Sequence, residues 1–532
     1  MLTRKKILLL TAAAALLARL VFALTFSTSC FASYHTVSGL DMQTLLRFSE
    51  WGGGANHAPF FTMHRLLIYL DWLIGRGNHH PSVIFAVQAI LGTAAALCAA
   101  DLTLKFSRSR KAALVCGIFF PLYLPFLVYE FSILQESFMV YFALFAFWAT
   151  VNGIRKRFNC SSSIIFTAAF SASLAGRPAA LFMCGALIIF AGYQMWKRRL
   201  LKRFAAPAAA LIAVLVAFTA FNGHFSGIYS PFYNVLPYTM QFNAQAAAKE
   251  SSSTAHAPEK SLLQSAMSAA KRVPVLFKHG ELPENHNIYF WCEKLPELNC
   301  LPSPGLIIPL ACAGVMVIIF SGAWKRRYGL LLLPLLTMAL PLCARDPIGR
   351  YRLMLVPYFF IIIPCAAVIF IHLKTAVRRG AALFGAALGA FFSIHDGDVP
   401  LRIRPSDYSA WAMALENTPG TDTADIVKAY GDYWQATGCS SERAFCMTTD
   451  KALQYNDLDT AFTIIAQAAE KNLPSDLIHY YLAWCFAMQN QPFAVQDQLS
   501  LIKNPQQLSP FMYEKYIMLS NDTRRILNNL QK

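Results

Sequence analysis

Long apolar stretches separated by short polar connections occupy the first three quarters of the chain. They lie near residues 7–27, 81–104, 111–129, 134–153, 162–177, 179–195, 204–221, 304–323, 328–344, 353–373 and 380–394. An untilted helix needs roughly 20 residues to cross a bilayer, and the shorter stretches are within reach of local thinning of the membrane. The pattern predicts an all-α, polytopic helical membrane protein with about 11 transmembrane helices. Beyond residue 395 it changes. DLDTAFTIIAQAAEKN (457–472) and SDLIHYYLAWCFAMQN (475–490) carry apolar residues at helical spacing, broken near Pro474. That spacing predicts a soluble domain of helical hairpins over 396–532, similar to degenerate tetratricopeptide repeats, behind a membrane domain over 1–395.

The connections carry the orientation. Basic clusters stand at Arg4-Lys5-Lys6, Arg108–Lys111, Arg155–Arg157, Lys197–Arg203, Lys325–Arg327 and Lys374–Arg379, so every second connection is basic. The positive-inside rule then sets the N-terminus in the cytoplasm. The outer face receives the 28–80 loop, the turn near Glu130, the turn at Arg177-Pro178, the 222–303 loop, the 345–352 turn and the C-terminal segment. The opening MLTRKKILLLTAAAALLARLVFALTF resembles a secretory signal peptide, but the apolar stretches after it favour an uncleaved first span.

Composition agrees with this organisation. Of 532 residues, 56% are hydrophobic and only 14% charged, with a mean hydropathy of +0.41. The net charge is +17, yet from residue 401 onward 11 Lys/Arg face 14 Asp/Glu. The tail therefore carries −3 and the excess sits between the apolar stretches, so the basic balance does not imply nucleic acid. Cys292 with Cys300, and Cys439 with Cys446, lie close enough in sequence for short disulfides on an oxidising face, and unpaired thiols are the equal alternative.

Candidate chemistry concentrates on the outer side, because charge inside a bilayer is costly and usually faces a cavity. The first loop mixes apolar helical spacing with Asp41, Arg47, Glu50, His57, His64, Arg65 and Asp71, and its segments 41–50 and 61–74 read as interfacial helices. Asp41 follows a Ser-Gly-Leu turn, where it is either a helix N-cap or a carboxylate open to an incoming hydroxyl. Glu136 lies six positions after Glu130 in apolar sequence, which suits a polar cavity or a structural partner. Arg350 and Arg352 flank Tyr351 at headgroup depth, where guanidinium groups bind a lipid phosphate or anchor the helix by snorkelling. Arg177 is a third outer basic position. No phosphate-binding glycine loop is present, and His79-His80 have no ligand-spaced carboxylate cluster around them. A divalent metal held by Asp41 and Glu136 is compatible with the sequence but not demanded by it.

In their order along the chain, the Asp41 loop, HAPFFTMHRLLIYLDWLIG, VQAILGTAAALCAADL, YEFSILQESF, SLAGRPAALF and GRYRLMLVP make residues 1–395 resemble the polyprenyl-phosphate-dependent membrane glycosyltransferases. That superfamily, of the GT-C type, includes protein mannosyltransferases and lipid A aminoarabinose transferases. The resemblance implies that Asp41 is the catalytic base and that Glu136 shapes the acceptor or metal region. It sets Arg350, Tyr351, Arg352 and Arg177 near the donor phosphate, with His57, His64, Arg65 and Glu130 as further donor or acceptor contacts. Met42 stands where many relatives carry a second acidic residue.

The implied activity is transfer of a sugar from a polyprenyl-phosphate donor to a lipid, glycan or protein acceptor, with inversion, on the periplasmic face of a bacterial inner membrane. The helical tail would hold a protein partner or cap the fold. A lipid-linked glycan transporter or polymerase, and a non-enzymatic membrane assembly protein, are the competing expectations.

Overall fold

The computed structural model describes residues 3–38, 40–49, 63–174, 178–226, 267, 270–280, 286–325, 327–342, 352–395 and 403–531, and every regular element among them is helical. The chain divides into two compact units. One holds Met1–Thr28 and Gly39–Arg402, and the other holds Ser29–Ser38 and Ile403–Lys532.

The first unit runs through α1 (Arg4–Ser27), α2 (Asp41–Ser49), α3 (Met63–Ile74), α4 (Pro81–Ser107), α5 (Arg110–Phe119), α6 (Leu124–Glu130) and α7 (Glu136–Arg155). It continues with α8 (Cys160–Leu174), α9 (Pro178–Lys197), α10 (Leu201–Ser226), α11 (Ile288–Lys294), α12 (Pro304–Phe320), α13 (Gly329–Leu342), α14 (Val356–Ile371) and α15 (Ala376–Ile394). Among the described residues seven helices are long and apolar enough to cross a membrane: α1, α4, α7, α9, α10, α12 with its preceding turn, and α15. The pair α5 and α6 passes the same test together but bends by 49°, and α8, α13 and α14 are shorter apolar helices. Pro121 and Pro125 flank that bend, where each removes a backbone donor.

α1 shows why these helices suit a bilayer. Thr3 caps it by accepting from the Lys6 amide at 3.3 Å. Its buried positions Ile7, Thr11, Ala15, Arg19, Phe22 and Phe26 recur every three or four residues and pack on α4 and α5. The opposite face exposes Leu9, Leu17 and Leu24, each more than 60% accessible. Burying that face in lipid instead of water stabilises each leucine by about 2 kcal/mol. Small residues bring other helices close. α15 carries Gly385 and Gly389 four residues apart, and a Cβ at Gly389 would stand 2.6 Å from the Cys312 carbonyl of α12.

At the basic ends, Asp101 of α4 accepts from the Arg4 guanidinium at 2.8 Å, from the Trp148 indole at 2.8 Å and from the Lys105 ammonium. One buried carboxylate thus ties α1, α4 and α7 together.

The second unit contains α16 (Pro405–Glu416), α17 (Thr423–Ala436), α18 (Glu442–Gln454), α19 (Leu458–Glu470), α20 (Ser475–Met488), α21 (Pro492–Ser500) and α22 (Pro510–Leu530). Each helix packs on the next, and α18 also meets α20, around Trp434, Phe445, Ile465, Tyr480 and Tyr481. Left-handed residues close the helices at Gly438, Asn456, Asn472 and Asn490, positions where Gly or Asn costs least. Gly438 and Asn472 are 34 positions apart, as are Asn456 and Asn490, so one hairpin repeats with that period. Burial pushes the Asp450 carboxyl above the usual range, against the pull of the Tyr481 hydroxyl that donates to it at 3.1 Å.

The short helical turn Cys30–Thr36 belongs to this unit. Phe31 is buried against the Trp411 ring at 4.8 Å, the Thr418 hydroxyl donates to Ser33 at 2.9 Å, and the Asn417 amide donates to Thr36 at 2.9 Å. Ten residues read from sequence as the start of an outer loop are therefore part of the tail's fold. Of the two alternatives for the pairs Cys292 with Cys300 and Cys439 with Cys446, the structure has all four as free thiols. Cys439 points to the Gln435 amide oxygen at 3.3 Å, and Cys300 donates to the Glu297 carbonyl at 3.0 Å.

Candidate functional site

The polar groups of interest converge where the end of α1, the start of α4 and the break between α6 and α7 meet. Phe22 and Phe26 of α1 stack on Trp291 of α11 and meet Phe131, while Phe26 also meets Phe85 of α4 edge-on. His286 packs edge-on against Tyr129 and Trp291 at ring distances of 5.4 and 5.5 Å. This aromatic layer covers a buried ion pair.

Arg19 and Glu130 are both almost fully buried, and the guanidinium donates to the carboxylate at 2.5 Å. The Tyr141 hydroxyl of α7 donates to the same carboxylate oxygen, and Arg19 also donates to the Ala15 carbonyl at 3.0 Å. Gly92 of α4 makes the room. A Cβ there would stand 1.9 Å from a Glu130 oxygen and 2.2 Å from an Arg19 nitrogen. Both side chains are held by each other and enclosed, so neither can swing away without breaking the pair. Gly92→Ala is expected to destabilise the bundle by about 1–3 kcal/mol, the usual cost of overpacking. Gly185→Ala in α9, where nothing lies within 4 Å of the added methyl, serves as the control and should leave the unfolding midpoint unchanged or slightly raised. Thermal unfolding of the two variants in detergent checks both outcomes.

One turn before Gly92, Gln88 faces the same break. Its amide donates to the Ser132 carbonyl at 2.9 Å and its oxygen accepts from Ser137. Beside Ser137, Glu136 is fully buried in the first turn of α7, where the helix dipole favours a negative charge. His64 of α3 is buried edge-on against Phe138, with ring centres 5.3 Å apart, and α3 packs on α2. Asp41 is exposed and is the first helical residue of α2, so it sits in the first turn rather than at the N-cap. Asp71 is buried and accepts from the His80 amide at 2.9 Å, and the His79 ring lies 3.5 Å from it. The two histidines thus share one carboxylate, which closes the start of α4.

Arg352 is buried rather than snorkelling. Its guanidinium donates at 2.8 Å to each of the Lys278 and Gly280 carbonyls. Lys278 in turn donates to the Phe392 and His395 carbonyls at the end of α15, at 2.7 and 2.5 Å, a favourable place for a cation. Arg352 therefore fixes the segment around 278–280. Arg177, Arg350, Tyr351 and His57 lie outside the described residues, and Arg65 is placed only as a member of α3. Among the described residues no three His, Cys, Asp or Glu side chains gather as a metal set.

Sequence reasoning singled out Glu130 and Glu136 but passed over Arg19, Gln88, Gly92 and Lys278. Arg19 did leave a signal, a lone charge in the middle of the first apolar stretch. The other three depend on tertiary neighbours.

Fold and site define an all-helical chain compatible with repeated crossing of a membrane, with a polar cluster buried between its helices. No family model matches the sequence, and no curated protein is similar to it.

Proposed function

We propose that this protein is an integral membrane glycosyltransferase that uses a polyprenyl-phosphate sugar donor. The observation that carries the reading is the position of α3, which packs on the helix that Asp41 begins and also touches the helix that Glu136 begins. α2 begins with the exposed Asp41, α3 packs on α2, and His64 of α3 meets Phe138, two residues after the buried Glu136. In this reading the exposed Asp41 is suited to proton transfer and the buried Glu136 to shaping a polar pocket.

In this reading an acceptor hydroxyl attacks the anomeric carbon and its proton passes to Asp41. The bond from that carbon to the phosphate oxygen breaks, and the negative charge remaining on the lipid phosphate is stabilised by arginine, with Arg352 the described member of that set. A single displacement inverts the anomeric centre. Glu136 shapes the acceptor side, and a divalent metal between the two acids remains compatible with it.

The helices long enough to cross, the bent pair and the three short apolar helices together support eleven crossings. Segment 29–38 is folded into the tail, and in this reading the chain therefore returns to the face on which that segment lies, which makes the number of crossings odd. Eleven meets that condition. With the basic connections inside a bacterial inner membrane, the tail is periplasmic. Its 34-residue hairpin period supports the tetratricopeptide-like reading and a protein partner there.

The second reading, transport of a lipid-linked glycan, draws on the Arg19–Glu130 pair buried within the bundle. Membranes containing the protein, supplied with radiolabelled polyprenyl-phosphate sugars, separate the two. Labelled product from one donor supports transfer. Movement of labelled lipid between leaflets with no product from any donor would replace it with transport.

A further inference from the structure

We propose that the groove between α8 and α10 binds an anionic phospholipid of the leaflet at their basic ends. The groove encloses about 920 Å³, within the range of small-molecule sites, roughly 300–1,000 Å³. Arg203, Asn159 and Ser163 line it near the two helix starts, while Ala168, Ala210 and Val214 line the part further along the two helices. The Thr167 hydroxyl there is satisfied by the Pro207 carbonyl at 3.3 Å, and apart from it and Ser171 the side chains of that part are apolar and suit an acyl chain.

Charge decides the occupant. The connections that end at the groove contain Arg155-Lys156-Arg157, Lys197-Arg198-Arg199 and Lys202-Arg203. Arg198 is engaged with the Ile154 carbonyl at 2.8 Å and fastens one connection to the end of α7. Arg203 lines the groove itself and is exposed. Pro207, four residues further along α10, supplies no amide to the Arg203 carbonyl, which leaves an acceptor beside the same charge. A phosphate at Arg203 with its chain along the alanine-lined floor satisfies both halves of the groove. A zwitterionic headgroup gains much less from the surrounding positive field.

The test uses the full protein in nanodiscs of mixed phosphatidylglycerol and phosphatidylcholine, followed by release into mild detergent and mass measurement of the lipid retained. Phosphatidylglycerol is expected in excess over its bulk share. Arg203→Ala should lower that excess roughly fivefold, the effect of removing one basic side chain from an anionic surface. Ala210→Phe fills the groove from a lipid-facing position, so it should abolish retention while leaving the unfolding midpoint unchanged. Equal retention of the two lipids, or unchanged retention in both variants, would overturn the proposal. Displacement of the retained lipid by undecaprenyl phosphate at a lower concentration would overturn it too, by assigning the groove to the sugar carrier. None of these readouts depends on glycosyl transfer.

Discussion

Replacing Arg19 by methionine is expected to cost the bundle about 3–5 kcal/mol of stability, because it leaves the fully buried Glu130 carboxylate without its counter-charge. Among the described residues the Tyr141 hydroxyl is then the donor left to that carboxylate. Glu130→Ala should cost a similar amount by leaving the guanidinium unpaired. The double variant Arg19→Met with Glu130→Gln removes both charges and should recover most of the loss, since a neutral pair of similar volume avoids the desolvation that the ion pair must overcome. Denaturant unfolding in micelles measures all three. A double variant no more stable than the singles would show that the pair is not the source of the effect. If the double variant is stable but inactive in transfer or transport, the pair has a functional role beyond holding α1 to α6.

Asp41→Asn is expected to lower glycosyl transfer by about 10²–10⁴-fold, the usual contribution of a positioned general base. Asparagine keeps the size and the hydrogen-bonding oxygen but takes up no proton. Because Asp41 is exposed, the unfolding free energy should change by no more than about 0.5 kcal/mol. Donor binding should be retained, so unused donor accumulates. Glu136→Gln provides the contrast. It is buried at a helix start, and its loss should raise the acceptor concentration needed for half-maximal rate as well as lower the rate. Unchanged transfer by Asp41→Asn at matched expression would remove it as the base and shift that role to another acid.

The apolar helices were legible because burial in lipid needs nothing more than a long run of hydrophobic residues, and each of the stretches read from sequence contains a helix. The tail helices were legible for a related reason, the helical spacing of their apolar residues and the break near Pro474. What stayed hidden depends on partners distant in sequence. Arg19 and Glu130 are 111 positions apart, and nothing local to either names the other. Gly92 looks like one more small residue in an alanine-rich helix until the two side chains facing it are known. Arg352 was read as a phosphate contact or a snorkelling anchor, and its bonds to the Lys278 and Gly280 carbonyls are a use that neither reading suggests. Histidines 79 and 80 likewise looked isolated because Asp71, their shared partner, comes from the preceding helix.

The fold of the tail also sets an order of events during synthesis. Phe31, Tyr34 and Val37 emerge early, yet the surface that buries them begins at residue 403. At about 5–20 residues per second, the ribosome needs on the order of tens of seconds to make what lies between. Throughout that interval this apolar stretch lacks the residues that bury it in the finished fold, so it gains its burial only after α15 has been made.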